Sequence, residues 1–143
     1  MSRSQTKEYT PEFFKGSKKE GQGEITVEVD GDKQKFPVIH VEVRANDIVL
    51  DFDMSGGDPG RNNIIAMVVG KAHLNKKVTF VGHGDPVYLL FQDSVQEWVA
   101  TKGWIRVEWK EGSKKIVGLL DDVQGDIDGN SKLTGGKFEI TLA

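Results

Sequence analysis

A side-chain period of two runs through most of this chain, and it leaves few folds open. Ile25, Val27 and Val29 alternate with Thr26 and Glu28, and Ile39, Val41 and Val43 alternate with His40 and Glu42. Further on, Ile48, Leu50, Phe52 and Met54 share one parity, while Asp47, Val49, Asp51 and Asp53 share the other. Successive side chains of a strand point to opposite faces, so this pattern predicts strands with one buried face. Ile64 to Gly70, "IIAMVVG", is apolar at both parities, short and β-branched. It predicts a central strand covered on both sides.

Turn chemistry divides these runs. Asp30-Gly31 is a hairpin signal. Pro37 cannot donate to a strand ladder, so its strand is expected to lie at an edge or to begin near that point. "KKVTFVGHGDPVYLLFQ" supplies two strands around Gly82–Pro86, and "WIRVEWKEGSKKIVGLL" reads as a hairpin. In that hairpin Ile105, Val107 and Trp109 face inward, opposite Ile116, Gly118 and Leu120. The last strand buries Phe138, Ile140 and Leu142. Residues 94–102 favour a short helix, because Ser94 and Glu97 have capping-box spacing and Val95, Trp98 and Val99 have helical spacing. The sum is an all-β fold, an antiparallel β-sandwich or small β-barrel of about nine strands with one or two short helices. The seventeen glycines suit that many turns.

Residues 1–22 differ in composition, being polar and rich in Lys, Ser and Gly around "TPEFF". They are expected to form a loosely ordered tail, with Phe13 and Phe14 as a hydrophobic anchor and Thr10-Pro11 able to start a helical turn. Residues 23–143 then make a single β domain, a size at which one core suffices. The net charge of −3 and the short basic clusters give no reason to expect nucleic acid as a partner. There is no cysteine, which removes disulfides, thiolate metal sites and cysteine nucleophiles. No apolar run approaches membrane-spanning length and the first ten residues lack a signal-peptide core, so a soluble, cytoplasmic protein with no membrane partner is expected.

Five places carry chemistry that could serve a function. "DIDGNSKLTGGK" places Asp126, Asp128 and Asn130 at the first three ligand positions of a calcium loop. Ser131 stands where that loop needs Gly and Lys137 where it needs a bidentate Glu, so a hairpin turn is expected and no metal site. "SGGDPGRNN" lacks the ending and helix of a phosphate loop, although Arg61 there suits an anionic or hydroxyl-rich ligand. His83 and Asp85 share the "GHGDP" turn, a pairing that can orient an imidazole for acid–base work. Asp51 and Asp53 project from one strand face, where solvation is the default. Trp104 falls on the opposite face from Trp109, beside Arg106 and Glu108, and can serve as a platform for a sugar ring or an apolar ligand.

These residues favour a non-catalytic binding domain, for a small sugar-like or apolar ligand or for a protein partner, with Trp104, Arg61, Tyr88, His83 and Asp85 as ligand-binding candidates. No cofactor, metal or catalytic residue is assigned. Two alternatives are a hydrolytic enzyme built on His83 and Asp85 with nearby carboxylates, and a purely structural or interaction protein. A small-ligand binder predicts a barrel mouth or cleft lined by Trp104, Tyr88 and similar residues, and a hydrolase predicts His83, Asp85 and carboxylates such as Asp51 or Asp53 in one cleft.

Overall fold

Asp30 and Gly31 both take positive φ, 53° and 84°. That is the backbone a two-residue hairpin turn needs, and it folds β1 (Gly21–Val29) onto β2 (Asp32–Val43). The computed structural model of the protein describes residues 21–54, 63–81, 87–127 and 130–143. The strands that follow are β3 (Asp47–Asp53), β4 (Ile64–Gly70), β5 (Lys77–Thr79), β6 (Val87–Gln92), β7 (Glu97–Val99), β8 (Lys102–Glu108), β9 (Lys115–Gln124) and β10 (Leu133–Leu142). All pairings are antiparallel, in one ten-stranded sheet of order β5-β8-β9-β10-β1-β2-β3-β4-β6-β7.

The sheet curls into a barrel-like shell because two chain segments each serve two neighbours. β2 pairs with β1 through Pro37 and with β3 from Val38 onward. β7 and β8 are separated only by Ala100 and Thr101. Ala100 N–H donates to Leu89 O on one side, and Thr101 N–H donates to Gln124 O on the other. The two ends of the sheet thus meet on a single stretch of chain. β5 and β6 do not pair with each other. They lie one after the other along β8 and β7, and Phe80 N–H donates to Gly103 O between them.

Side chains fill the interior. Phe36, Phe52, Met67, Phe80, Leu89, Phe91, Ile105, Val107, Trp109, Ile116, Phe138 and Ile140 are all buried in one continuous cluster. Phe52 of β3 meets Phe138 of β10 with ring centroids 5.5 Å apart, so opposite walls of the shell touch. Gly118 makes room for that ring, since a Cβ there would lie 2.2 Å from Phe138 Cζ. The β8–β9 hairpin and the inward parities of Ile105, Val107 and Trp109 follow the alternation in the sequence. Trp109 is 7% exposed and its Nε1 donates to Ser113 O at 3.0 Å.

Two expectations are corrected. Residues 94–102 form no helix. Asp93 Oδ1 accepts from Val95 N–H at 2.9 Å and Gln96 N–H at 3.0 Å, which tightens a turn from β6 into β7. Val95 is 83% exposed, so the apparent helical stripe is not a buried face. The capping-box spacing is outcompeted by this local Asx turn. Pro37 marks neither an edge nor a strand start. It sits inside β2 where that strand changes partner, a place where one fewer donor costs nothing in the ladder. A bulge follows between Val38 and His40, so Val38 and Val41 both reach the core and His40 turns outward.

Candidate functional site

Among the described residues the interior is filled by apolar side chains, and the outside has two unlike faces. The first is the outer face of β2–β3–β4–β6–β7. Register places His40 opposite Asp51, Asp51 opposite Ala66, Ala66 opposite Leu90 and Leu90 opposite Val99. The flanking rows run Val49–Val68–Tyr88 and Asp53–Ile64–Gln92. Val49, Ala66, Val68, Tyr88 and Leu90 form a second apolar cluster, each no more than 5% exposed. This cluster is separate from the interior one, so β4 and β6 are buried on both sides, as the composition of "IIAMVVG" predicts.

Asp51 and Asp53 belong to this covered face and are 3% and 5% exposed, which corrects the expectation of a solvated face. In register, Asp51 lies beside Ala66 and Leu90, and Asp53 beside Ile64. Burial, reinforced by the Asp53 charge, pushes the Asp51 carboxyl up to about 7. Among the described residues, four buried side-chain atoms lack a hydrogen-bond partner: His40 Nδ1, Asp51 Oδ1, Gln92 Oε1 and Thr101 Oγ1. By register His40, Asp51 and Gln92 project from this same face. Unpaired buried polar atoms are costly, so their gathering on one face marks it as a place where a partner group belongs.

The second face is the outer side of β8–β9–β10–β1 and the first half of β2. Its alternation is regular and its side chains reach water. One row runs Arg106, Leu119, Lys137, Thr26 and Lys35. The next runs Glu108, Val117, Glu139 and Glu24. A basic stripe therefore lies beside an acidic one, with an aliphatic residue set into each. Arg106 Nε donates to Glu108 Oε2 at 2.6 Å, Lys115 pairs with Glu139, and Lys35 approaches Glu24 at 3.8 Å. The bond from Lys115 holds the Glu139 carboxyl below its ordinary value. Leu119 is 47% exposed in the middle of these charges, over a shallow hollow lined by Arg106, Glu108, Val117, Lys137 and Glu139.

Of the sequence candidates, Trp104 and Tyr88 can be placed. Trp104 faces outward on β8, half-buried, with Lys77 Nζ 4.7 Å from its ring centroid. Its indole is therefore engaged by a cation. Tyr88 also faces outward, but it is 2% exposed within the covered apolar cluster. Neither belongs to the interior cluster, and both point outward by parity. Arg61, His83 and Asp85 lie outside the described residues, as does the Phe13–Phe14 anchor.

The calcium-like stretch is a turn where it is described. Asn130 N–H donates to Ile127 O at 3.0 Å, and Asn130 Oδ1 accepts from Ile127 N–H. The turn is held by the β6–β7 connection, where Gln96 Nε2 donates to Ser131 Oγ at 2.7 Å and Gln96 Oε1 accepts from Ser131 N–H and Trp98 Nε1. Gly125 is required there, since a Cβ would lie 2.9 Å from Trp98 Cβ. No group of three His, Asp or Glu among the described residues is placed to hold a metal ion. Comparison of the chain with protein-family models, curated proteins and solved structures finds no match.

Proposed function

We propose that this protein is a non-catalytic binding domain that engages a protein partner through the solvent-facing side of β8–β9–β10. The observation that carries the reading is Leu119, 47% exposed, beside Val117 and between the basic and acidic stripes. An exposed aliphatic centre with a charged rim has the anatomy of a protein interface. Arg and Trp, represented by Arg106 and Trp104, are residue types that often dominate binding energy in such patches. The stripes add orientation. A partner that sets acidic groups over Arg106 and Lys137 and basic groups over Glu108 and Glu139 docks in one sense only. Lys77 over the Trp104 ring weighs against the sugar-platform reading, because a stacked ring must displace that cation.

The test places a photoreactive residue at position 119 in cells that make the protein, with position 33 as a control on the same face. The reading expects a small set of proteins to crosslink at 119 and not at 33, and to disappear when Arg106→Glu is added. Identical capture at both positions, or capture indifferent to Arg106, would exclude this face as the binding surface.

A further inference from the structure

The open face of β8–β9–β10 is its own electrostatic complement. Along β9 the outward side chains run Lys115, Val117, Leu119 and Asp121: cation, aliphatic, aliphatic, anion. Turned end for end, this series meets itself with opposite charges at its ends and aliphatic groups at its middle. The flanking strands carry the same relation. β8 presents Arg106 and Glu108 outward, level with Leu119 and Val117, and β10 presents Lys137 and Glu139 at the same two levels. The centre of the patch is uncovered, since Leu119 is 47% exposed and Val117 lines the hollow beside it.

We propose that this face binds a second copy of the same chain, a pairing that rests on the binding face proposed above and names its partner. The second copy is turned about a two-fold axis that lies in the interface and runs across the strands, between the basic and acidic stripes. The charges select both the occupant and the axis. A two-fold interface brings the same patch of each copy together, so the patch must complement itself. With this axis, Arg106 comes over Glu108 of the second copy and Lys137 over its Glu139. Lys115 comes over Asp121 and Leu119 over Val117, each contact occurring twice by symmetry. An axis along the strands would instead lay basic stripe on basic stripe, which like-charge repulsion opposes. No pair within a molecule has to break. Arg106 donates to Glu108 in one copy, and against the same pair of the other copy the charges close an alternating ring. Facing sheets lie about 10 Å apart with their strands rotated by up to about 30°. At a neighbouring strand that rotation displaces the rows by roughly 2.5 Å, well under the row spacing of about 6.7 Å. Two strands from β9, at β1, the displacement reaches about 5 Å and the match is lost, so the contact is confined to β8–β9–β10. So small an area gives weak, reversible association, and dilute protein keeps the face open to water. The net charge of −3 adds little repulsion between copies.

Sedimentation velocity of the purified full chain, from micromolar to millimolar concentration, reads the association, and charge reversal reads its geometry. The parent is expected to pass reversibly from monomer to dimer. Arg106→Glu sets two carboxylates against each other, and Glu108→Arg sets two guanidinium groups against each other, in both cases twice over. Each variant alone should therefore associate at least about tenfold more weakly than the parent. Mixed together, the same two variants should form a one-to-one heterodimer, because every contact between these positions then joins opposite charges. A photoreactive residue at position 119 of the purified chain should join two copies through the β9 peptide that holds Val117. A parent that stays monomeric to millimolar concentration, a dimer indifferent to Arg106→Glu, or variants that do not pair when mixed would each overturn the proposal. A monomeric parent that still captures other proteins at position 119 in cells would refute the self-pairing and leave the binding face with a foreign partner. Failure of both experiments would remove the face as well.

Discussion

The two outer faces of this sheet use the same strand geometry and end in different physical states. Around Leu119, apolar residues stand singly among charges that pair with one another in water. Around Ala66, apolar residues from four strands adjoin, and the carboxylates beside them are buried with them. The difference lies in the central strands. β9 alternates from Lys115 to Leu120 and β10 from Gly136 to Thr141, so each has one wet side there. β4 and β6 are apolar at both parities, so each needs two dry sides. A strand with two apolar faces dictates the burial of whatever its neighbours place beside it, including Asp51. The contrast also separates roles, since a face that reaches water can meet a partner and a covered one belongs to the fold.

The largest effect that can break this contrast comes from placing the same charge on both faces. Leu90→Asp should cost about 4 kcal/mol or more, because it buries an unpaired carboxylate, and should leave little folded protein. Leu119→Asp should stay within about 0.5 kcal/mol. Denaturant melts check both, and similar losses would mean the faces are not distinct.

Next in size is the pH dependence set by Asp51. Its carboxyl is raised from 3.8 to about 7, so between these values the folded state holds a proton that the unfolded state has released. Stability from this group is therefore full below pH 4 and falls as pH rises to 7. Asp51→Asn removes that fall. The variant should match the parent at pH 4 and exceed it by up to roughly 4 kcal/mol at pH 8. Paired urea melts at the two pH values measure this, and a variant less stable at pH 8 would show that the charged carboxylate is satisfied.

A smaller effect probes the core beneath the open face. Gly118→Ala directs a methyl into the Phe138 ring and should cost about 1–3 kcal/mol. A neutral result in thermal melts would show that the ring can move aside. The smallest is Lys77→Ala, which removes the cation over Trp104 and should cost about 0.5–1 kcal/mol, with a shift in indole fluorescence. An unchanged emission spectrum would mean that Lys77 does not rest on the ring.

Much of this fold is legible in the sequence. The first hairpin follows from Asp30-Gly31, the inward set Ile105, Val107 and Trp109 from simple alternation, and the doubly buried β4 from "IIAMVVG". What escapes is what depends on neighbours. Asp51 reads as solvated from β3 alone, and only the pairing of β3 with β4 shows otherwise. Pro37 reads as an edge, because a strand that serves two partners has no sequence mark of its own. Residues 94–102 carry helix spacing, which loses to a two-donor turn on Asp93. Leu119 does not stand out along the chain, although its position between Arg106 and Lys137 follows from the hairpin register once β10 is added. The signal for it is an aliphatic residue at the outward parity of a hairpin otherwise charged on that side.

The central claim, one covered outer face and one open face on a single curled sheet, is tested most directly by hydroxyl-radical footprinting of the native protein. Tyr88 and Trp104 both point outward, and both side chains react readily when water reaches them, so they form an internal comparison. The account predicts oxidation at Trp104 and Leu119 with protection at Tyr88 and Leu90. Oxidation of Tyr88 as fast as Trp104 would contradict it.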